Sequence, residues 1–231
     1  MTALTYHNRA RAEVLAFIPE SAQSILDVGC SEGNFGNLLI QKGKSVWGIE
    51  PEKDCIPLCK KNLTGIFLGS FSDFLARRER QKRDKAAEPI FHQPFDCVVF
   101  NDVLEHLVDP WEALRATLSL LSPSGCIVAS IPNVRYYKVL KQLLFKKDWP
   151  YADAGILDRT HLRFFTEKSI LRLFDTCGYR VEVIEGINKS VTPIVSILNI
   201  LLFNVLSGSL FHQYAVRAYP SGPPPEGGLS S

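Results

Sequence analysis

The chain has 231 residues, of which 46% are hydrophobic and 22% charged, enough apolar material for one good core and a single domain. A formal net charge of +2 leaves no electrostatic case for nucleic acid, and the one charge-dense stretch, Ala76 to Glu88, interleaves acids with bases and lacks aromatics, as a solvated helix end does. Six scattered cysteines without a C-x-x-C pair, and no secretory signal ahead of them, read as reduced core residues of a cytoplasmic protein.

In chain order, Tyr6 and His7 precede a helix predicted from Arg9 to Phe17 and stopped by Pro19. The segment "ILDVGCSEGNFG" follows: Ile25, Leu26 and Val28 read as a buried parallel strand, and Gly29 and Gly33 let the backbone approach a ligand with no Cβ in the way. Ser31 keeps the middle position small. Asn34 to Lys42 is an amphipathic helix. "SVWGIE" is a second strand that ends in Glu50, 21 residues after Gly29, about the interval at which an acid reaches ribose hydroxyls in this topology. A helix then runs to Lys61, with Pro57 shifting its start or kinking it, and "GIFLGS" is a third strand.

"FDCVVFNDVLEHLVDPWEAL" carries a fully apolar fourth strand into polar residues and a helix from about Asp109. Ligands in open α/β sheets sit at strand C-termini, so Asn101 and Asp102 face the cleft. A glycine turn and a fifth strand ending at Asn133 follow, then a helix capped by Gly178, a sixth strand and a seventh in "HQYAVRAYP". The pattern predicts an α/β fold: a Rossmann-like, mostly parallel seven-stranded sheet with helices on both faces and an antiparallel last strand. The domain is expected over 1–218, with a loose tail at 219–231.

Asp27, Gly29, Ser31 and Gly33 resemble motif I of the class I S-adenosylmethionine (SAM)-dependent methyltransferases, D-x-G-x-G-x-G, with Ser31 for the middle glycine. SAM carries an ammonium and a sulfonium rather than a diphosphate, and a loop with Asp27 and Glu32 suits those charges better than it suits phosphates. The resemblance implies SAM as cofactor and S-adenosylhomocysteine as product. It implies Glu50 on the ribose and Ser70, Phe71 and Asp73 beside the adenine, where "GS" replaces the usual "GD". A nicotinamide-dependent oxidoreductase and a non-catalytic SAM-binding module are the rival readings.

A hydroxyl acceptor must lose a proton as it is methylated, which calls for a base or a metal. His106 follows Glu105, and with Asp102 they occupy i, i+3 and i+4; His161 lies in "GILDRTHLRFFT", where this family builds its acceptor pocket. That set resembles the E-x-x-E-H and later histidine of the ubiquinone-biosynthesis O-methyltransferases and small-RNA 3′-end methyltransferases. Asp102, Glu105, His106 and His161 are therefore the metal candidates, and His106 and His161 acting as metal-free bases are favoured over the metal. Tyr151, Arg159 and Arg163, with Asn133, are the candidate acceptor-binding residues, and structural ion pairing by Asp158 and Arg163 is the alternative. "EHLVDPW" and "SIPNVR" resemble small bacterial methyltransferases of glycan assembly. The reading is O-methylation of a sugar, glycan precursor or other small polar acceptor, with a catechol-like or RNA 3′-terminal hydroxyl as alternative.

No charged residue lies between Lys189 and Arg217, and an apolar helical insertion is predicted within 187–210. Its stretch 192–207 is too short to cross a bilayer. It suits packing on the fold, a homodimer surface, or peripheral contact with the inner face of a membrane, although that stretch itself lacks flanking Lys and Arg.

Overall fold

The computed structural model describes residues 11–81, 88–190, 199, 201 and 203–222. In chain order the strands are β1 (Ser24–Val28), β2 (Ser45–Glu50), β3 (Gly65–Leu68), β4 (Phe95–Asn101), β5 (Leu121–Pro132), β6 (Tyr179–Lys189) and β7 (Phe211–Pro220). They form one sheet in the order β3-β2-β1-β4-β5-β7-β6, in which β7 runs antiparallel to both its neighbours. This is the architecture read from the sequence. The strand order reverses beside β1, so the C-terminal ends of β1 and β4 open the crevice in which such sheets hold ligands.

Both faces of the sheet are covered, and β4 therefore reads as a continuous apolar run from Cys97 to Phe100, while β1 is apolar from Ile25 to Val28 except for Asp27. On one face Leu26, Val28 and Phe100 meet Phe74, Leu114 and Phe174, carried by α3 (Phe71–Gln81), α4 (Pro110–Thr117) and α6 (Glu167–Thr176). On the other, Ile25, Cys97 and Val99 meet Val14, Phe35 and Cys59, the last two from α1 (Asn34–Ile40) and α2 (Ile56–Asn62). Neighbouring residues of β1 alternate between the two clusters, as the twofold period of a strand requires. Each fully buried Leu, Ile or Phe contributes roughly 1.5–3 kcal/mol to this core.

Several local expectations change. The opening helix is a 3-10 helix, Ala12–Phe17, and Arg9 lies outside the described residues. Pro57 sits in the first turn of α2 and makes no kink, because a missing N–H costs nothing where no intrahelical bond is made. β5 starts at Leu121, ahead of the predicted glycine turn; a Cβ on Gly125 would stand 2.8 Å from the Phe95 carbonyl, so only glycine lets the two chains approach. An element that the sequence reading did not predict, α5 (Tyr137–Phe145), follows β5.

Around the insertion, β6 runs on to Lys189, inside the predicted limits of 187–210, and β7 begins at Phe211, just beyond them. Asn199 and Leu201 are helical; 191–198, 200 and 202, most of the predicted insertion helix, lie outside the described residues. β7 continues to Pro220, past the predicted domain end at 218, and of the remaining tail only Ser221 and Gly222 are described. α3 ends at Gln81, and 82–87 of the charged stretch are likewise not described.

Candidate cofactor and acceptor site

The loop after β1 is built around glycine. Gly29 has φ of +70°, and a Cβ there would stand 2.7 Å from Cγ2 of Val103, just past β4. Gly33, φ +78°, leads into α1. Ser31 is also left-handed, φ 50°, and donates its backbone N–H to Glu50 Oε2 at 2.7 Å, while Glu52 N–H reaches Glu50 Oε1 at 2.9 Å. Glu50 thus fastens the loop to the end of β2.

Asp27, at the core of β1, is buried, with Oδ2 unbonded. Burial, and secondarily the Glu50 charge, push its carboxyl up to about 8. Asn101 at the end of β4 holds a buried, unbonded amide Nδ2. A bare backbone, a buried acceptor, a buried donor and a carboxylate at the end of β2 converge here, and they fit an adenosyl amino acid that carries positive charge. At the end of β3, Ser70 and Asp73 cap α3 reciprocally, Ser70 N–H to Asp73 Oδ2 at 3.0 Å and Asp73 N–H to Ser70 Oγ at 3.1 Å. Phe71 is buried edge-on against Phe100 at 5.6 Å.

Asp102 does not join the expected i, i+3, i+4 cluster. Its φ of 53° turns it out of the helical path before the 3-10 turn Leu104–His106 begins. Its carboxylate instead pairs with Arg11 and accepts from Ser130 Oγ at 3.0 Å and Gln213 Nε2 at 2.5 Å. Arg11 and Gln213 went unnoticed in the sequence, since their partners lie up to 202 positions away and no local pattern marks them.

Glu105, His106 and His161 do meet: one donor atom from each lies within 4.8 Å of the others. Glu105 is 1% exposed, and neither carboxylate oxygen has a hydrogen bond. Burial lifts its carboxyl to about 8. His161, 6% exposed, has its Nδ1 3.0 Å from the Ile156 carbonyl, which can only accept, so Nδ1 carries the proton and Nε2, 4.0 Å from Glu105 Oε1, presents a lone pair. Burial pulls its pKa down. The ring of His106 lies 4.6 Å from that of His161, and its Nδ1 faces the Thr160 carbonyl at 3.3 Å and Thr160 Oγ1 at 3.1 Å. Thr160 Oγ1 spends its own proton on Asp158 Oδ1 at 2.6 Å, so His106 Nδ1 is the donor there as well. Backbone carbonyls that fix imidazole tautomers are common behind metal-bound histidines, and two imidazoles with a carboxylate suit a divalent cation. The three residues fit one.

Among the other acceptor candidates, Asn133 sits just past the end of β5. It is buried, and its amide donates to the Gly208 and Phe211 carbonyls at 3.1 and 2.9 Å, which pins the start of β7. Arg159 makes an exposed ion pair with Asp153 at 2.8 Å. Arg163 donates to the Val108 carbonyl at 2.5 Å, and its buried Nε has no partner. Tyr151 is exposed.

Residues 4–183 match the family model described as a methyltransferase domain. The ubiquinone biosynthesis O-methyltransferase of Aeromonas salmonicida is 26% identical over 71% of this chain and 66% of its own length. The mitochondrial ubiquinone biosynthesis O-methyltransferase of Bos taurus is 25% identical over 73% of this chain. The chain spans about two thirds of the first relative and 44% of the second. Among solved structures, a SAM-dependent methyltransferase from Archaeoglobus fulgidus superposes with a TM-score of 0.62 at 19% identity, covering 94% of both chains. The magnesium protoporphyrin IX methyltransferase of Synechocystis, solved with S-adenosylhomocysteine bound, gives 0.56 at 14% identity, covering 93% of this chain and 83% of its own.

Proposed function

The chain belongs to the methyltransferase-domain family as a class I SAM-dependent enzyme, and on that premise we propose that it methylates a hydroxyl oxygen brought to Glu105, His106 and His161. SAM supplies a methyl group on a sulfonium, already activated for transfer. The chain's residues do the rest. Gly29 and Gly33 leave room for the cofactor, Glu50 holds its loop, and Asp27 and Asn101 offer a buried acceptor and donor to its polar end. Alignment in the cleft supplies much of the rate of an in-line displacement. With Nδ1 the donor in both rings, Nε2 is the basic nitrogen of His106 and of His161, and one of the two accepts the hydroxyl proton.

The observation that carries this reading is the pair of Nδ1-protonated imidazoles beside a buried carboxyl. The relatives, O-methyltransferases of ubiquinone biosynthesis, support an oxygen acceptor; the catechol-like hydroxyl and the sugar hydroxyl read from the sequence are the two arms of the assay. Labelled SAM would be offered with catechol-type and glycan acceptors to the wild type and to His106→Ala and His161→Ala. Turnover should fall about 10²–10⁴-fold in the variants while S-adenosylhomocysteine still binds. Undiminished turnover would remove both histidines from the chemistry.

A divalent cation held by Glu105, His106 and His161 is a second reading, favoured by the two unbonded, buried Glu105 oxygens. Such a cation lowers the pKa of a bound hydroxyl. Loss of turnover in EDTA, restored by a divalent ion, would select this reading, and insensitivity to EDTA would select the metal-free base.

A further inference from the structure

α5 leaves the sheet at the end of β5, on the rim that also carries the candidate site. Tyr136 and Val139 hold its first turns to the body, but Leu143, Leu144 and Phe145 are exposed, Phe145 to 80%. Lys138, Lys141, Lys146 and Lys147 are exposed around them. From Arg135 to Asp148 there are five cations and one acid, an excess of four where the whole chain has +2. A second apolar group lies beside the start of α5: Leu201, Val205 and Phe203, the last 93% exposed. The two groups are joined, because Arg135 donates to the Val205 carbonyl at 2.5 Å and Tyr137 N–H to the Ser209 carbonyl at 2.8 Å.

We propose that this rim docks on an anionic phospholipid surface, with Leu144, Phe145 and Phe203 entering the headgroup boundary and the α5 lysines resting on lipid phosphates. The stretch 192–207 by itself lacks cations, and the fold supplies them from α5. Alternating lysines and apolar side chains on one exposed surface is the composition of an interfacial helix, whereas a second copy of the chain would bring the same positive charge against itself. No helix among the described residues is long and apolar enough to cross a membrane, which leaves surface docking as the mode. Docking would turn the mouth of the acceptor site toward the bilayer.

Vesicle flotation tests this, with the full chain, phosphatidylcholine vesicles, and vesicles containing phosphatidylglycerol. Binding should require phosphatidylglycerol, weaken with salt, and fall about fivefold or more for each of Lys141→Glu and Lys147→Glu. Leu144→Ser with Phe145→Ser, and separately Phe203→Ser, should lose binding while S-adenosylhomocysteine affinity stays at the wild-type value, which shows that the variants are folded. Absence of vesicle binding, or a stable dimer in sedimentation that Phe145→Ser dissociates, would overturn the proposal. Equal binding to neutral and anionic vesicles would overturn it too, since the lysines would then have no part.

Discussion

His161 Nε2 stands 4.0 Å from Glu105 Oε1, with both side chains buried and the imidazole proton committed to the Ile156 carbonyl on the other side of the ring. The ring therefore turns its lone pair toward a carboxyl that burial keeps protonated up to about pH 8.

Glu105→Gln keeps the shape and removes the acid. Turnover should drop by at least about tenfold, and adding His161→Ala should cost less than the product of the two single effects, because residues that act as a unit are non-additive. Strict multiplication of the two losses in a double-mutant cycle would show that they act apart.

Asp27 gives a pH dependence. Its folded carboxyl titrates at about 8 against 3.8 in the unfolded chain, so the folded state holds the extra proton between these values. Its contribution to stability is full below pH 3.8 and is lost as pH rises through about 8, at no more than about 1.4 kcal/mol per pH unit. Thermal melts of Asp27→Asn should lack this component of the slope and be more stable than wild type at pH 8. The ammonium that S-adenosylhomocysteine shares with SAM favours the ionised form, so S-adenosylhomocysteine should bind wild type more tightly at pH 8 than at pH 6, and the variant equally at both. A wild-type affinity independent of pH would remove Asp27 from the cofactor's charged end.

Gly29 and Gly43 share a positive φ, +70° and +80°, but only Gly29 has a neighbour, Val103, where a Cβ would lie. Gly43→Ala should cost about 1 kcal/mol, from backbone strain alone. Gly29→Ala adds a clash and should cost about 2–4 kcal/mol and weaken S-adenosylhomocysteine binding. Denaturant melts and calorimetric titration of both variants check the contrast, and equal costs would show that Val103 yields.

The ion pair of Arg11 with Asp102 is largely buried, its side chains 10% and 7% exposed, and it joins the start of the domain to its middle. Arg11→Ala takes the guanidinium away from the Asp102 carboxylate, which keeps Ser130 and Gln213, and should destabilise the protein by about 3 kcal/mol. Asp102→Asn in the same chain should recover part of that loss. An unaltered melting temperature for Arg11→Ala would show that the pair contributes nothing.

The α/β architecture, the mostly parallel sheet implied by βα repetition and the glycine loop at Gly29 and Gly33 were all legible in the sequence, because each follows from periodicity and local backbone demands within a few residues. Glu50 could be picked out for the same reason, as an acid at a fixed interval from a turn. Asp102 was misplaced because one left-handed residue rotates everything before it off the helical face, and a helical count from residue 102 cannot register that. Asn133 lies at a strand end, as a ligand contact does, but its amide is spent on Gly208 and Phe211, across a connection of more than 70 residues. α5 had no strong pattern of its own, and only the fold brings its lysines beside Phe203. Sequence alone determined the sheet and the glycine loop after β1, where local rules suffice. The meeting of Glu105, His106 and His161, and the capture of Asp102 by Arg11, depended on long-range packing that decides which buried polar groups find partners.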